Sequence, residues 1–360
     1  MQTEKRLALI REVGEEIITE QDLVELLQRK KRPVAYDGFE PSGKIHIAQG
    51  ILRAINVNKM ARAGCRFKLL VADWHALANN KLGGKMGDIQ VAGEYIVEVW
   101  KQCGMDLKNV EFVWASDLVK QKGYWEKVMG VATRSTVNRI IRTSQIMGRT
   151  EQETLHASQV FYPCMQVADI FQLEADIAQL GMDQRKVNVL ARELGERLGY
   201  WKPVAVHHHM VLGLTVQKTS SAGIERKIEL KMSKTNPDAA IFMTDSEEEI
   251  KRKIMHAYCP EKELEENPVI EYCKFLVFEK FKEMKIERNK KFGGDLSLKS
   301  FSELEDEFSS GGLHPMDLKN ATAFYINKMV EPVRKHFQKD RKARGLLERV
   351  NAIDPTKPCT

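Results

Sequence analysis

The chain changes its hydrophobic period several times, and the changes outline an architecture. Residues 1–30 are densely charged, with Leu23, Leu26 and Leu27 at helical spacing, which predicts an amphipathic helical segment. From about residue 33 short apolar or β-branched runs take over: PVAYD, FKLLVAD, VEFVWAS, DIAQL and VAVHHHM. Each reads as a strand. The stretches 46–62, 88–103 and 124–141 between them repeat apolar residues at helical spacing. Strands alternating with helices predict an α/β fold, a doubly wound parallel sheet with helices on both faces. Ligands of such sheets sit at the carboxyl ends of the strands, which singles out the loops after Tyr36 and Asp73.

The pattern changes again at residues 213–237, which are rich in Gly, Ser, Thr and Lys and read as a long loop. Beyond Pro237 it is helical. SEEEIKRKIMHAYC opens with a serine cap and first-turn acids; EYCKFLVFEKF and PMDLKNATAFYINKMVEPVRKHF follow, the last with an expected kink at Pro332. Three units result: a helical segment 1–32, a sheet domain 33–236 and a helical domain 237–360. Hydrophobic residues at 43% and charged residues at 29% exclude a disordered chain or a coiled coil. No apolar run reaches membrane-spanning length, and the first residues lack a signal-peptide core. Six cysteines without a C-x-x-C read as free thiols of a cytoplasmic protein. The net charge of +6 permits a nucleic-acid partner without requiring one.

Candidate chemistry begins at Asp37-Gly38-Phe39-Glu40-Pro41-Ser42-Gly43-Lys44-Ile45-His46, which follows a strand and opens a helix. Its glycines let backbone approach an anion, and the helix start adds partial positive charge. Gly38 to Lys44 also spells G-x-x-x-x-G-K, but a P-loop needs Ser or Thr next to hold Mg²⁺, and Ile45 stands there. Tyr162, Gln166 and Asp169 fall at i, i+4 and i+7 on an otherwise apolar stretch, which places three polar groups on one face of a buried helix. His207, His208 and His209 lack a nearby Cys or carboxylate at ligand spacing, so they read as strand-end histidines beside a nucleotide and not as a zinc site.

The helix after the glycine loop continues His46-Ile47-Ala48-Gln49-Gly50, and Lys231-Met232-Ser233-Lys234-Thr235 comes much later. Together they resemble the HIGH and KMSKS signatures of class I aminoacyl-tRNA synthetases. YDGFEPSGKIHIAQG, YPCMQVADIF, GMDQRK, KFGGD and HPMDLKN extend the resemblance over nearly the whole chain, to tyrosyl-tRNA synthetases of the archaeal–eukaryotic type. The resemblance implies a Rossmann-like catalytic domain followed by an all-helical anticodon-binding domain. It implies activation of L-tyrosine with ATP and Mg²⁺, then transfer of tyrosine to its tRNA. His46, Lys231 and Lys234 would be catalytic. ATP would meet Gly38, Glu40, Ser42, Gly43, His46, Gln49, Gly181, Asp183, Lys231, Ser233 and Lys234. Tyrosine would meet Tyr36, Leu70, His75, Tyr162, Gln166, Asp169 and Gln184, with Tyr36 and Asp169 on the phenol. Gln49 departs from the usual histidine: an amide can hydrogen-bond but carries no proton charge.

For tRNA, the resemblance points to Arg139 near the acceptor stem and to Phe292 and Asp317 at the anticodon. Arg139 lies in 134–149, a run with four Arg and no acid, and 334–349 holds seven Lys/Arg against two acids. The family is homodimeric, and no resident metal is expected. No appended tRNA-binding domain is expected after the last helices. Tyr36 with Asp169 favours a phenol over the indole of a tryptophanyl enzyme. A catalytically silent RNA-binding relative would have no need to keep His46, Lys231, Lys234, Asp169 and Asp183 together.

Overall fold

A computed structural model describes residues 2–143, 156–215, 226, 230, 232 and 236–353. The five expected strands form: β2 (Val34–Phe39), β3 (Arg66–Val71), β4 (Val110–Trp114), β5 (Ile177–Gly181) and β6 (Val204–His208). They pair in parallel, and with one further strand, β1 (Gly14–Ile18), the sheet order is β1-β6-β5-β2-β3-β4. From β2 the chain winds outward through β3 and β4, then returns to β2's other side through β5 and β6. The winding therefore reverses between β2 and β5, and a crevice opens there at the carboxyl ends.

Side chains alternate between the two faces of each strand. Ala35, Phe67, Leu69 and Val71 join one core with the helices Arg53–Arg62 and Met86–Gln102. Tyr36, Leu70, Ala178 and Leu180 face the opposite way, toward the helices Tyr124–Thr133, Ala157–Gln172 and Arg185–Gly195. The alternation thus sends Tyr36 to the same side as the predicted polar helix.

Three expectations change. Residues 1–32 are not all helix: the helices Thr3–Arg11 and Glu20–Arg29 flank a strand β1 (Gly14–Ile18), which pairs antiparallel with β6. Both its carboxylates are engaged: Glu16 Oε2 lies 2.9 Å from His207 Nδ1 and 2.9 Å from Arg185 Nε, and Glu15 Oε2 lies 3.0 Å from His209 Nδ1. Leu23, Leu26 and Leu27 are buried, as their spacing predicts. The expected helix 124–141 is two helices, Tyr124–Thr133 and Val137–Thr143. The helical domain carries a small hairpin, β7 (Met284–Ile286) with β8 (Leu296–Leu298), so it is not purely helical.

The expected cap at Ser246 forms in both directions: its Oγ accepts from Glu249 N at 3.2 Å, and Glu249 Oε2 accepts from Ser246 N at 2.9 Å. The helix Pro315–Lys339 runs through Pro332 without ending. Within the basic run, Arg334 is engaged in the fold, donating to Asp245 O at 2.9 Å and Asn327 Oδ1 at 2.8 Å. The last helix, Arg341–Ala352, packs back on Met86–Gln102, so both domains share one continuous core.

Candidate active site

The crevice at the winding reversal is a cavity of about 1060 Å³. All seven residues expected to meet tyrosine line it, as do Gly38, Glu40, Ser42, Gly43, His46, Gln49, Gly181 and Asp183. Lys231, Ser233 and Lys234 lie outside the described residues. Met232, between the two lysines, is described: it is buried in the cavity wall, with its N donating to Val211 O at 3.0 Å.

The floor is built by the helix Ala157–Gln172. Its regular turn brings Tyr162, Gln166 and Asp169 to one face, and all three are buried. Asp169 is 1% exposed. It accepts from Tyr124 Oη at 2.9 Å, and His75 Nε2 stands 2.9 Å from its other oxygen. Burial works against a charge on His75, but the Asp169 carboxylate outweighs it and holds the imidazole pKa above its ordinary value. Burial, the Asp169 charge and the Asp37 charge all push the Tyr36 hydroxyl well above the ordinary phenol range, so it stays a neutral phenol. The ring of Tyr162 meets the edge of His75, centroids 5.0 Å apart. Gln166 Nε2 donates to Gln184 Oε1 at 3.0 Å, while Gln166 Oε1 has no hydrogen-bond partner. The floor is thus an apolar slot with one carboxylate at its end and a spare amide acceptor on its side.

The glycine loop forms the opposite wall. Gly43 sits at φ +99°, the left-handed region where a side chain strains the backbone, and a Cβ there would meet nothing within 4 Å. At Gly181 a Cβ would stand 2.7 Å from Asp183 Oδ1, so a side chain there would displace that carboxylate. The N–H of Gly38 is already taken, donating to its neighbour Asp37 Oδ1 at 2.8 Å. Gly38 therefore offers close approach, not a free donor. Glu40 is also engaged, accepting from Asn79 Nδ2 at 3.2 Å.

The segment after the lysine loop pairs with the histidine signature. Ile47 N donates to Ile241 O at 2.8 Å and Met243 N to Ile45 O at 3.1 Å, with a bridge between His46 and Phe242. Gln49 is used locally: its Oε1 accepts from His46 N at 3.4 Å as the π-helical turn Ala48–Leu52 begins.

Sequence reasoning missed Tyr124, which no spacing links to Asp169, and it missed a buried pair beneath the glycine loop. Arg53 and Asp37, 1% and 3% exposed, are hydrogen-bonded there. Burial raises the Asp37 carboxyl to about 6 even with that guanidinium beside it. The expected tRNA residues lie away from the cavity. Arg139 pairs with Glu193 on the surface. Asp317 is in the first turn of Pro315–Lys339, and the β7–β8 hairpin abuts the loop before it, Arg288 Nη1 donating to Gly312 O at 2.7 Å. Phe292 lies on that hairpin's loop, but its side chain is outside the described part.

Comparisons with known proteins agree with this fold. Residues 28–331 match the family described as tRNA synthetases class I (W and Y). The cytoplasmic tyrosine–tRNA ligase 1 of Arabidopsis thaliana is 48% identical over 359 residues, 99% of this chain and 90% of that one. The tyrosine–tRNA ligase of Saccharolobus islandicus (strain M.14.25 / Kamchatka #1) is 41% identical over 357 residues, 98% of this chain and 99% of that one. The tyrosyl-tRNA synthetase of Pyrococcus horikoshii, solved with L-tyrosine, superposes with a TM-score of 0.90 at 37% identity, covering 97% of this chain and 100% of that one. The chain belongs to the class I tRNA synthetase family. Within it, the chain is one of the tyrosyl-tRNA synthetases of archaeal and eukaryotic type.

Proposed function

We propose that the chain is a tyrosine–tRNA ligase that makes tyrosyl-adenylate and pyrophosphate from L-tyrosine and ATP, then transfers tyrosine to the 3′ end of its tRNA. The observation that carries this reading is the buried Asp169–Tyr124–His75 cluster at the closed end of a cavity whose other wall is a glycine loop. A phenol hydroxyl entering the slot finds Asp169 and Tyr36; the α-amino group finds Gln166, Tyr162 and Gln184. An oxygen of the tyrosine carboxylate attacks the α-phosphorus, and the bond from that phosphorus to the departing pyrophosphate breaks. No protein nucleophile is needed, so catalysis is positioning and charge stabilisation.

Gly43 and Ser42 would bring backbone to the phosphates, His46 and Gln49 would flank them, and Gly181 and Asp183 would meet the ribose. Lys231, Ser233 and Lys234 would supply cations and a hydroxyl to the leaving pyrophosphate. Mg²⁺ would arrive with ATP as part of the substrate. In the second half-reaction a ribose hydroxyl of the tRNA end attacks the tyrosyl carbonyl and AMP leaves. Arg139 would steady the acceptor stem, and Asp317 would accept from a guanine edge while Phe292 stacks on it.

Amino-acid-dependent ATP–pyrophosphate exchange with tyrosine, tryptophan and phenylalanine tests the reading. Exchange is expected with tyrosine. Exchange on tryptophan alone would reassign the substrate, and none with any of the three would make the chain a non-catalytic relative.

A homodimer through the sheet domain is part of the same proposal. Met129, Val137 and Phe161, on the neighbouring helices Tyr124–Thr133, Val137–Thr143 and Ala157–Gln172, are 50%, 63% and 42% exposed. Apolar side chains grouped this way suit a subunit interface. Met129→Asp with Val137→Asp is expected to weaken dimerisation by about two orders of magnitude, seen as a shift to monomer in sedimentation equilibrium. An unchanged mass would move the interface elsewhere. No helix among the described residues is long and apolar enough to cross a membrane. The described cysteines are free and mostly buried, which suits the reducing cytoplasm.

A further inference from the structure

The three histidines that end β6 have three different surroundings. His207 is buried between Glu16 and Asn188, and His208 Nδ1 lies 2.9 Å from Gln179 Nε2. His209 leaves the sheet and meets the helical domain. Its Nδ1 is 3.0 Å from Glu15 Oε2 and its Nε2 is 3.2 Å from Glu271 Oε1. Its ring lies flat on Phe275, centroids 4.3 Å apart and planes 13° apart. Glu271 and Phe275 belong to the helical domain's first turns after Asn267.

Glu271 does two things at once. Its Oε1 faces His209, and its Oε2 accepts from Leu212 N at 2.9 Å. One carboxylate therefore holds both ends of the segment His209–Leu212. Within that segment His209, Met210 and Val211 line the active-site cavity. Met210 Sδ also accepts from Asp183 N at 3.2 Å, which ties the segment to the residue placed at the ribose. Leu212 is followed by Gly213, whose N donates to Leu230 O at 2.9 Å, and Val211 O accepts from Met232 N at 3.0 Å, so the same segment holds the described residues on either side of position 231.

We propose that Glu271, a residue of the helical domain, is a positioning residue for the nucleotide half of the active site, holding the cavity wall His209–Leu212 in register with Asp183; this rests on the ligase reading above. The His209 imidazole is held in its charged form at neutral pH. Burial lowers the imidazole pKa, but Glu15 and Glu271 outweigh it and raise His209 to about 9. The tyrosine slot is built from other elements, Ala157–Gln172 and β2, and makes no contact with Glu271 in this scheme. The anticodon-side domain would thereby reach the ATP subsite and leave the tyrosine subsite alone.

The test uses the full chain with Glu271→Gln, Glu271→Ala and His209→Gln. In tyrosine-dependent ATP–pyrophosphate exchange, Glu271→Ala is expected to raise KM for ATP about tenfold and leave KM for tyrosine within about twofold. Glu271→Gln keeps an acceptor for Leu212 N and should fall between. Glu271→Gln combined with His209→Gln should be no worse than the worse single change, because both remove one pair. Calorimetric titration with ATP reads the same effect as Kd and does not depend on turnover, so it separates a failure of this proposal from a failure of the ligase reading. An unchanged ATP KM and Kd, or parallel rises for ATP and tyrosine, would overturn the proposal. Should Glu271→Ala fail to fold, the two glutamine variants decide it.

Discussion

Replacing Asp169 by alanine is expected to lower kcat/KM for tyrosine activation by about 10³-fold and to reduce the preference for tyrosine over phenylalanine to about tenfold. The carboxylate is the acceptor for Tyr124 Oη and the counter-charge of His75. Its removal strands two buried polar groups, each costing about 1–3 kcal/mol, and a substrate hydroxyl finds no anion to receive it. The competing amino acid lacks that hydroxyl and loses little. Asp169→Asn keeps the shape and an acceptor but withdraws the charge, so it should be intermediate. Exchange kinetics with the two amino acids measure this, and an Asp169→Ala enzyme with wild-type discrimination would remove Asp169 from the role.

Arg53→Met is expected to be the most destabilising single change in the sheet domain, by about 3–5 kcal/mol, because it leaves Asp37 as a buried carboxylate without its cation. For a chain of this size the thermal midpoint should fall by about 5 °C. Asp37→Asn with Arg53→Met should recover much of the loss, since removing both partners leaves no stranded charge. Acidity should help as well. The folded carboxyl of Asp37 is already raised, to about 6 from an ordinary 3.8, and loss of Arg53 raises it further. A raised folded value means stability that is present below about pH 4 and lost as pH climbs through the folded value. The variant should therefore melt higher at about pH 5 than at about pH 8, and by a wider margin than wild type. Differential scanning calorimetry checks both statements; a melt equal to wild type at each pH would deny the pair its role.

Much of this site was legible because its residues sit on regular elements. The i, i+4, i+7 spacing of Tyr162, Gln166 and Asp169 survives as three cavity-lining side chains, since a helix turns at a fixed rate. The glycine loop was legible because few residues tolerate φ near +99°. β1 was not. GEEII sits between two helical stretches and puts two glutamates in a five-residue strand, which local preference disfavours. Its partners are Val206 and its neighbours, and the ion pairs that make Glu15 and Glu16 welcome come from residues 185–209. Nothing within a short window carries that information. Tyr124 and Arg53 escaped for the same reason: each acquires its role from a side chain brought close only by the fold. The break after Thr133 was hidden because no proline or glycine marks it and apolar residues stand on both sides of it.

Strand β1 has a consequence for how the molecule is made. It is the first strand of the described sheet to be synthesised, and its one partner among the described residues, β6, is the last of that sheet. Until β6 arrives, the growing sheet has no place for residues 14–18. The two helices beside β1 can form early, but sealing that border is a non-local event of the slow kind. Once made, it covers the backbone of β6 with a strand from the same chain, so the borders of the described six-stranded sheet are β1 and β4. Within the described sheet, the strand translated first is the one whose place is fixed last, and it borders the side of the sheet from which His209 reaches the helical domain.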